Sequence, residues 1–224
     1  MGPDNDVIAN VLYALVLYDR TRFTEIIQRG INYLEGQQEA KGGWKSTWYC
    51  GANYGTYMCL RLLATAAHES AAMQRGLHFL RHAQHADGGW GSNGESDPLN
   101  TAFSLLGLAA AHTCGENTEG DRAQARRAFC YLRNCQEADK GWPSCEFIRM
   151  KMGRTTGEAE RVLTYGSRTL TTTCVLKALL AWDRLMTVAE VQDESKGSGF
   201  PSENDCMKKA QGNANSGETR WKEG

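Results

Sequence analysis

Three histidines, two N-terminal aspartates and eight cysteines hold most of the chemistry that residue type alone offers in this 224-residue chain. His78, His82 and His85 fall at i, i+4 and i+7, a spacing that sets imidazoles along one helix face and can present them to a metal ion. No Cys or carboxylate stands where it would complete such a site, so solvated surface histidines are expected and a metal centre is not. Asp4 and Asp6 suit the entrance of a helix, where a carboxylate caps free N–H groups and meets the positive dipole end for about 1 kcal/mol. Cys50, Cys59, Cys114, Cys130, Cys135, Cys145, Cys174 and Cys206 include no Cys-x-x-Cys pair and are expected to be reduced thiols, several packed as small hydrophobes. There is no phosphate-cradling glycine loop and no Gly-x-Ser-x-Gly elbow.

The elements that must position these residues repeat. Gln38-Glu39-Ala40-Lys41-Gly42-Gly43-Trp44 is matched by Gln84-His85-Ala86-Asp87-Gly88-Gly89-Trp90, and then by Gln136-Glu137-Ala138-Asp139-Lys140-Gly141-Trp142, with Lys140 in place of the first glycine. The glutamines are 46 and 52 residues apart, the length of one helical hairpin. Before each signature runs an amphipathic stretch, about 24–38, 71–84 and 121–136, whose apolar residues keep helical spacing. Between them Val7–Tyr18, Tyr54–Ala67, Asn100–His112 and Thr169–Trp182 are apolar nearly all round and must be covered by neighbours. The first set reads as outer helices and the second as inner helices of an all-α, (α/α) toroid or layered solenoid. Gln38, Trp44, Gln84, Trp90, Gln136 and Trp142 then read as clamps between repeats, the glutamine amide meeting orphan groups at a helix end. A ligand-stacking tryptophan is the alternative, though a ligand contact need not recur at a structural period.

Composition removes several functions. Lys and Arg total 25 against 26 Asp and Glu, so no basic field exists to attract a nucleic acid. No run approaches the roughly 18–20 apolar residues of a membrane span, and the N-terminus has no basic region followed by an apolar stretch. A cytoplasmic protein is expected. The chain opens almost at once on a helix entrance, as a fragment would. Residues 1–186 are expected to form the toroid part and 187–224, polar and glycine-containing, a flexible tail. Residues 143–167, rich in Arg, Met and Gly, read as a long loop at one mouth of the ring.

The signatures and their neighbours resemble the squalene-hopene and oxidosqualene cyclases. After Trp44, Trp48-Tyr49-Cys50-Gly51-Ala52-Asn53-Tyr54-Gly55-Thr56 is similar to that family's Trp-Gly-Val-x-Tyr/Phe-x-Tyr-Gly-Thr, and Gly91 after Trp90 fits its Gly-Gly-Trp-Gly. The resemblance covers about residues 4–182. It implies the C-terminal part of a toroid enclosing an apolar isoprenoid substrate without metal or organic cofactor. It further implies that Trp48 and Tyr54 line the cavity, where π faces stabilise carbocations without trapping them; packing in the core is the alternative for both. The family's proton donor, the middle Asp of Asp-x-Asp-Asp, lies about one repeat upstream of the Asp4–Asp6 register. Asp6 then resembles a supporting acid, and Asn10 stands where bacterial members carry a His that hydrogen-bonds the acid. A lipid substrate also admits peripheral membrane contact.

The departures are as informative. Thr169-Leu170-Thr171-Thr172-Thr173 places hydroxyls where the family's last inner helix carries rings, and hydroxyls could quench a cation. Four inner segments fall short of a closed ring, so the ring is expected to be incomplete, with an apolar edge for a second chain or further segment to cover. A non-catalytic repeat module binding a lipid or a partner is the second reading. A protein prenyltransferase β-subunit is a third, weakened because its zinc set needs a spacing that Asp205-Cys206 lacks and a His that the Thr169 helix lacks. Cys114-Gly115-Glu116-Asn117 resembles a complement-type thioester loop but ends in Asn where Gln is needed.

Overall fold

A computed structural model describes residues 4–66, 70–92, 94–112, 119–152 and 161–193, without side-chain detail at 151–152 and 188–193. In order, the elements are α1 (Asn5–Asp19), α2 (Thr24–Gly36), α3 (Asn53–Ala66), α4 (Ala71–His82), α5 (Pro98–His112), α6 (Glu119–Asn134), β1 (Glu146–Met152), β2 (Arg161–Gly166) and α7 (Arg168–Asp193). The chain divides into two units, Met1–Met186 and Thr187–Gly224. Helix α7 runs across the expected tail boundary to Asp193; the rest of the tail, Cys114–Asn117 and Asp205–Cys206 lie outside the described residues.

The first unit is a partial (α/α) toroid. Inner helices α1, α3 and α5 pack side by side, and α2, α4 and α6 back them. Trp182 joins α7 to α5, its indole N–H donating to Leu105 O at 2.8 Å. The core between the layers is leucine and small-residue packing around Trp44, Trp90 and Trp182, all fully buried.

Each signature builds the same turn. Gly42 N–H donates to Glu39 O (2.8 Å), Gly88 N–H to His85 O (3.0 Å) and Lys140 N–H to Glu137 O (2.9 Å), and the chain then closes back through Glu39, His85 and Glu137 N–H to Gly43, Gly89 and Gly141 O, each at 2.9 Å. The positive φ falls in these turns, at Gly42 (94°), Gly88 (90°) and Lys140 (68°), and not at the helix ends, whose C-cap residues Gln37 and Ala83 stay right-handed. A Cβ at Gly42 or Gly88 would also strike the carbonyl of Arg75 or Arg127 on the following outer helix. Lys140 holds a left-handed backbone at a typical penalty of about 1 kcal/mol. Lys140→Gly is therefore expected to raise stability by roughly 0.5–1 kcal/mol, the unfolded-chain entropy of glycine taking back part of the relief, and to shift the guanidinium midpoint upward.

Residues 143–167 correct the expected loop. Among them β1 and β2 form an antiparallel hairpin, Arg149 opposite Thr164 and Met152 opposite Arg161. A two-stranded hairpin is marginal alone, and this one gains a third partner. Tyr49 bridges Ile148, Arg149 N–H donates to Trp48 O at 2.7 Å, and Cys50 N–H donates to Phe147 O at 2.8 Å. The register slips between Glu146 and Ile148, a bulge of the kind that re-aims a side chain, and Phe147 is the extra residue.

Both end helices of the inner layer carry exposed apolar residues. On α1 these are Val7, Val11, Leu17 and Tyr18, and on α7 Leu176 and Leu180.

Candidate functional site

The glutamine and tryptophan of each signature divide two tasks. Gln38 Nε2 donates to Gly42 O (2.7 Å) inside its own turn and to Ala72 O (2.8 Å) at the start of α4, while Oε1 accepts from Arg75 Nε (2.8 Å). Gln84 repeats this with Gly88 O (2.8 Å), Gln124 O (2.9 Å) and Arg127; Gln136 Nε2 donates to Lys140 O (3.0 Å). The indole N–H groups of Trp44, Trp90 and Trp142 donate to Leu34 O (2.7 Å), Leu80 O (2.8 Å) and Leu132 O (2.8 Å) in the last turn of the preceding outer helix. Their backbone N–H groups donate to Thr56 (3.0 Å), Thr101 (3.0 Å) and Thr172 (3.1 Å) hydroxyls near the start of the next inner helix. All three tryptophans are buried in the layer interface, away from the inner face.

Two of the threonines expected to oppose a cation, Thr171 and Thr172, hydrogen-bond the backbone. Thr172 Oγ1 accepts from Trp142 N–H, and Thr171, fully buried, donates to Ser167 O (3.2 Å) and accepts from Cys145 N–H (3.3 Å). Their lone pairs accept from the backbone N–H groups of Trp142 and Cys145, ahead of the hairpin.

A second set of side chains lies along the inner helices. On α1, Asp6, Asn10 and Tyr13 fall at i, i+4 and i+7; on α3, Tyr54, Tyr57 and Arg61 fall at i, i+3 and i+7, so each trio shares one face. The trios meet. Arg61 Nη2 donates to Asn10 Oδ1 at 2.6 Å, and its guanidinium sits 4.1 Å from the Tyr13 ring centroid and 5.5 Å from that of Tyr57. Asn10 also reaches the Tyr54 hydroxyl. Around Tyr54 three rings close a box, with centroid distances of 4.5 Å to Tyr49, 5.0 Å to Phe103 and 5.2 Å to Phe147. Burial, then Tyr49 and Asp6, push the Tyr54 phenol above its ordinary value, against the pull of Asn10 and Arg61.

Asp6 does not cap its helix. Asp4 holds the N-cap place with an extended backbone but its side chain makes no capping hydrogen bond. Asp6 lies in the first turn, 2% exposed, with Oδ1 unpartnered. Burial pushes its carboxyl above the usual 3.8; the nearby Ser46 hydroxyl opposes that shift, and Asp4 adds to it. Ser46 Oγ is itself buried without a hydrogen bond that meets full geometry. A carboxyl so placed is harder to ionise than an exposed one. The linkage has a definite sign: with the native pKa raised, the folded state holds more protons between the two pKa values, so this group's share of stability falls as pH rises from 3.8 through the native value. Asp6→Asn is thus expected to melt above the parent at about pH 7.5, the two melting temperatures converging below about pH 4. A gap independent of pH would contradict this.

Trp48 is 44% exposed, which removes core packing as its explanation; its carbonyl, not its ring, anchors β1. Tyr54 is half-buried within the box. The three histidines do not converge. His78 and His82 stack 3.8 Å apart on exposed α4, while His85 Nδ1 lies 2.9 Å from Ser96 Oγ. Among the described residues no group of three or more His, Cys, Asp or Glu could hold a metal ion. Cys50, Cys59, Cys135, Cys145 and Cys174 form no disulfides, and burial followed by Asp97 pushes the Cys145 thiol up to about 11.

Sequence reasoning passed over Tyr49, Phe103, Phe147, Arg61 and Lys177. Two signals were available. Arg61 is the lone cation of α3 and Lys177 the lone one between Thr169 and Trp182, each among apolar or hydroxyl-bearing neighbours, and Phe147 belongs to the alternating run Glu146-Phe147-Ile148-Arg149-Met150.

The sequence matches the squalene-hopene cyclase C-terminal domain over residues 2–156. No curated protein matches it. Among solved structures it is similar to ent-copalyl diphosphate synthase from Streptomyces platensis (TM-score 0.63, 21% identity, 81% of this chain and 33% of that one). It is similar also to the type II terpene cyclase MstE from Scytonema, free (TM-score 0.64, 17% identity, 83% and 56%) and as a variant in complex with its substrate geranylgeranyl dihydroxybenzoate (TM-score 0.63, 18% identity, 80% and 54%). The chain thus spans a third to just over half the length of these proteins. At such identities the likeness establishes the toroid fold, and the match across most of the sequence establishes kinship: the chain belongs to the family of the squalene-hopene cyclase C-terminal domain.

Proposed function

We propose that this chain forms part of the catalytic toroid of a class II terpene cyclase, binding an isoprenoid against its inner helices. The observation that carries the reading is the box of Tyr49, Tyr54, Phe103 and Phe147 beside the buried, proton-favouring Asp6. Four ring faces offer negative potential with no strong nucleophile, which suits a migrating positive charge. Tyr54 and Trp48 are the substrate-facing residues on this reading, Asn10 orients the Tyr54 hydroxyl, and Asp6 supports an acid supplied by another segment. MstE, similar in fold, takes a geranylgeranyl substrate, in keeping with a prenyl chain as the apolar part of the ligand.

The sequence holds no Asp-x-Asp-Asp, so the proton must come from elsewhere. The inner helices α1 and α7 carry exposed apolar residues, and further helix pairs, on a second chain or on a longer polypeptide, are the partners that fit them. Among the described residues no helix is long and apolar enough to cross a membrane; delivery of a lipid substrate by peripheral contact is part of the same proposal.

The missing acid motif favours a second reading, isoprenoid binding without cyclisation. Incubation of the full chain, supplied with a helical segment bearing Asp-x-Asp-Asp, with squalene, oxidosqualene and geranylgeranyl compounds, followed by mass spectrometry of extracted lipid, separates the two. Cyclised product supports the cyclase; retained but unaltered isoprenoid supports the binding module; no retention of any of them defeats both.

A further inference from the structure

Arg61 and Lys177 have no place in a cavity for pure hydrocarbon. Lys177 lies on α7 and reaches across the inner layer to α3, its Nζ donating to the Tyr57 hydroxyl at 3.1 Å. The ammonium stands 5.6 Å from the centroid of the Tyr57 ring, and the Arg61 guanidinium stands 5.5 Å from that centroid. Two cations therefore share one aromatic ring. Their protein acceptors are neutral: the Tyr57 hydroxyl for Lys177, Asn10 Oδ1 and Met58 Sδ for Arg61. Among the described residues neither has a carboxylate within salt-bridge distance. Arg61 Nε is buried with no acceptor, so water does not complete its shell as it would for an ordinary surface arginine. Two cations beside one ring, Arg61 incompletely bonded, leave an unmet demand for an anion.

The position of the pair indicates what bears that anion. Tyr13, in contact with Arg61, lies seven residues beyond Asp6 on α1, about 10 Å along the helix axis. Tyr54 and its ring box fall between the two levels, bridged to Arg61 by Asn10. The wall is graded: a protonatable acid at one end, aromatic faces in the middle, two unpaired cations at the other end.

We infer that Arg61 and Lys177 form an oxyanion site for the head group of an amphiphilic isoprenoid, a phosphate, diphosphate or carboxylate whose prenyl tail lies against the ring box. This rests on the isoprenoid-binding reading above and narrows it. The cations hold the charged end fixed and thereby set which end of the chain faces Asp6. Their own proximity to Tyr13 and Tyr57 occupies those rings, which leaves Tyr49, Tyr54, Phe103 and Phe147 to face the tail.

The test compares geranylgeranyl diphosphate with geranylgeraniol, tails identical, on the full chain by titration calorimetry, with free inorganic diphosphate as competitor. The diphosphate ester is expected to bind about tenfold or more tighter than the alcohol, the margin shrinking with added salt, and inorganic diphosphate to displace the ester far better than the alcohol. Lys177→Gln, at an exposed position with a single hydrogen bond, is expected to reduce the preference about tenfold, with alcohol affinity unchanged and Lys177→Arg largely restoring it. Arg61→Gln, checked for folding by circular dichroism, is expected to act in the same direction. Equal affinity for ester and alcohol, or a preference that survives Lys177→Gln, overturns the oxyanion site while the isoprenoid reading stands. Failure of both compounds to bind overturns the two together.

Discussion

Trp90→Ala is expected to lower the unfolding free energy by about 3–5 kcal/mol, the range for emptying a fully buried tryptophan site. The residue is 0% exposed and central in the repeat array. Its indole donates to Leu80 O at the end of α4, and its backbone N–H donates to Thr101 at the start of α5, so one residue fixes the exit of an outer helix and the entry of an inner one. Truncation leaves a cavity and also removes the indole donor from Leu80 O, which keeps only the longer bond from Ala83 N–H (3.3 Å). Trp90→Phe keeps most of the packing and loses the indole donor alone, about 0.5–1.5 kcal/mol. Guanidinium unfolding followed by circular dichroism ranks the three proteins. Should Trp90→Ala fall within 1 kcal/mol of the parent, the clamp assignment fails.

The second large effect concerns the site. Tyr54→Leu removes the ring from the middle of the box while roughly keeping apolar volume, and on the proposed reading is expected to slow cyclisation by the toroid completed with an acid-bearing segment about 30-fold, the equivalent of about 2 kcal/mol for a desolvated cation–π contact. Tyr54→Phe retains the face and is expected to stay within about threefold of the parent. The pair isolates the ring's electrostatics from its hydroxyl, which is engaged with Asn10. Single-turnover measurements with excess protein read the chemical step directly. Equal slowing in both variants would assign the effect to the hydroxyl or to packing, and would remove the cation-stabilising role from the box.

The two results draw on features that were not equally legible in the sequence. The clamps could be read because they are local and repeated: each indole bonds a carbonyl ten residues back, each glutamine a carbonyl four residues on, and periodicity exposes both. Trp182 makes the same kind of bond to Leu105 O without any Gln-Gly context, and so went unseen. Asp6 was placed correctly at a helix entrance but misread as a cap, since the sequence does not say that Ser46 and the core close over it.

The inner wall was mostly hidden for a related reason. The Lys177–Tyr57 hydrogen bond joins residues 120 apart. Phe147 enters the box only because a bulged hairpin adds to the backbone at Trp48–Cys50, and the propensity of a seven-residue strand cannot announce a partner that far away. Within the segment Trp48–Thr56, which carries the resemblance, Tyr54 is the hub of the ring box, Tyr49 its neighbour, and Thr56 the acceptor for Trp44.

The central claim is that the face shared by α1, α3 and α5, with Phe147 of β1, receives an isoprenoid. A geranylgeranyl probe carrying a diazirine in its tail, photolysed on the full chain and mapped by peptide mass spectrometry, examines that claim most directly. Adducts are predicted in the peptides containing Trp48–Tyr57, Phe103 and Phe147, suppressed by excess unlabelled geranylgeranyl compound. Adducts confined to α2, α4 and α6, or labelling of the inner face that excess competitor leaves unchanged, would contradict it.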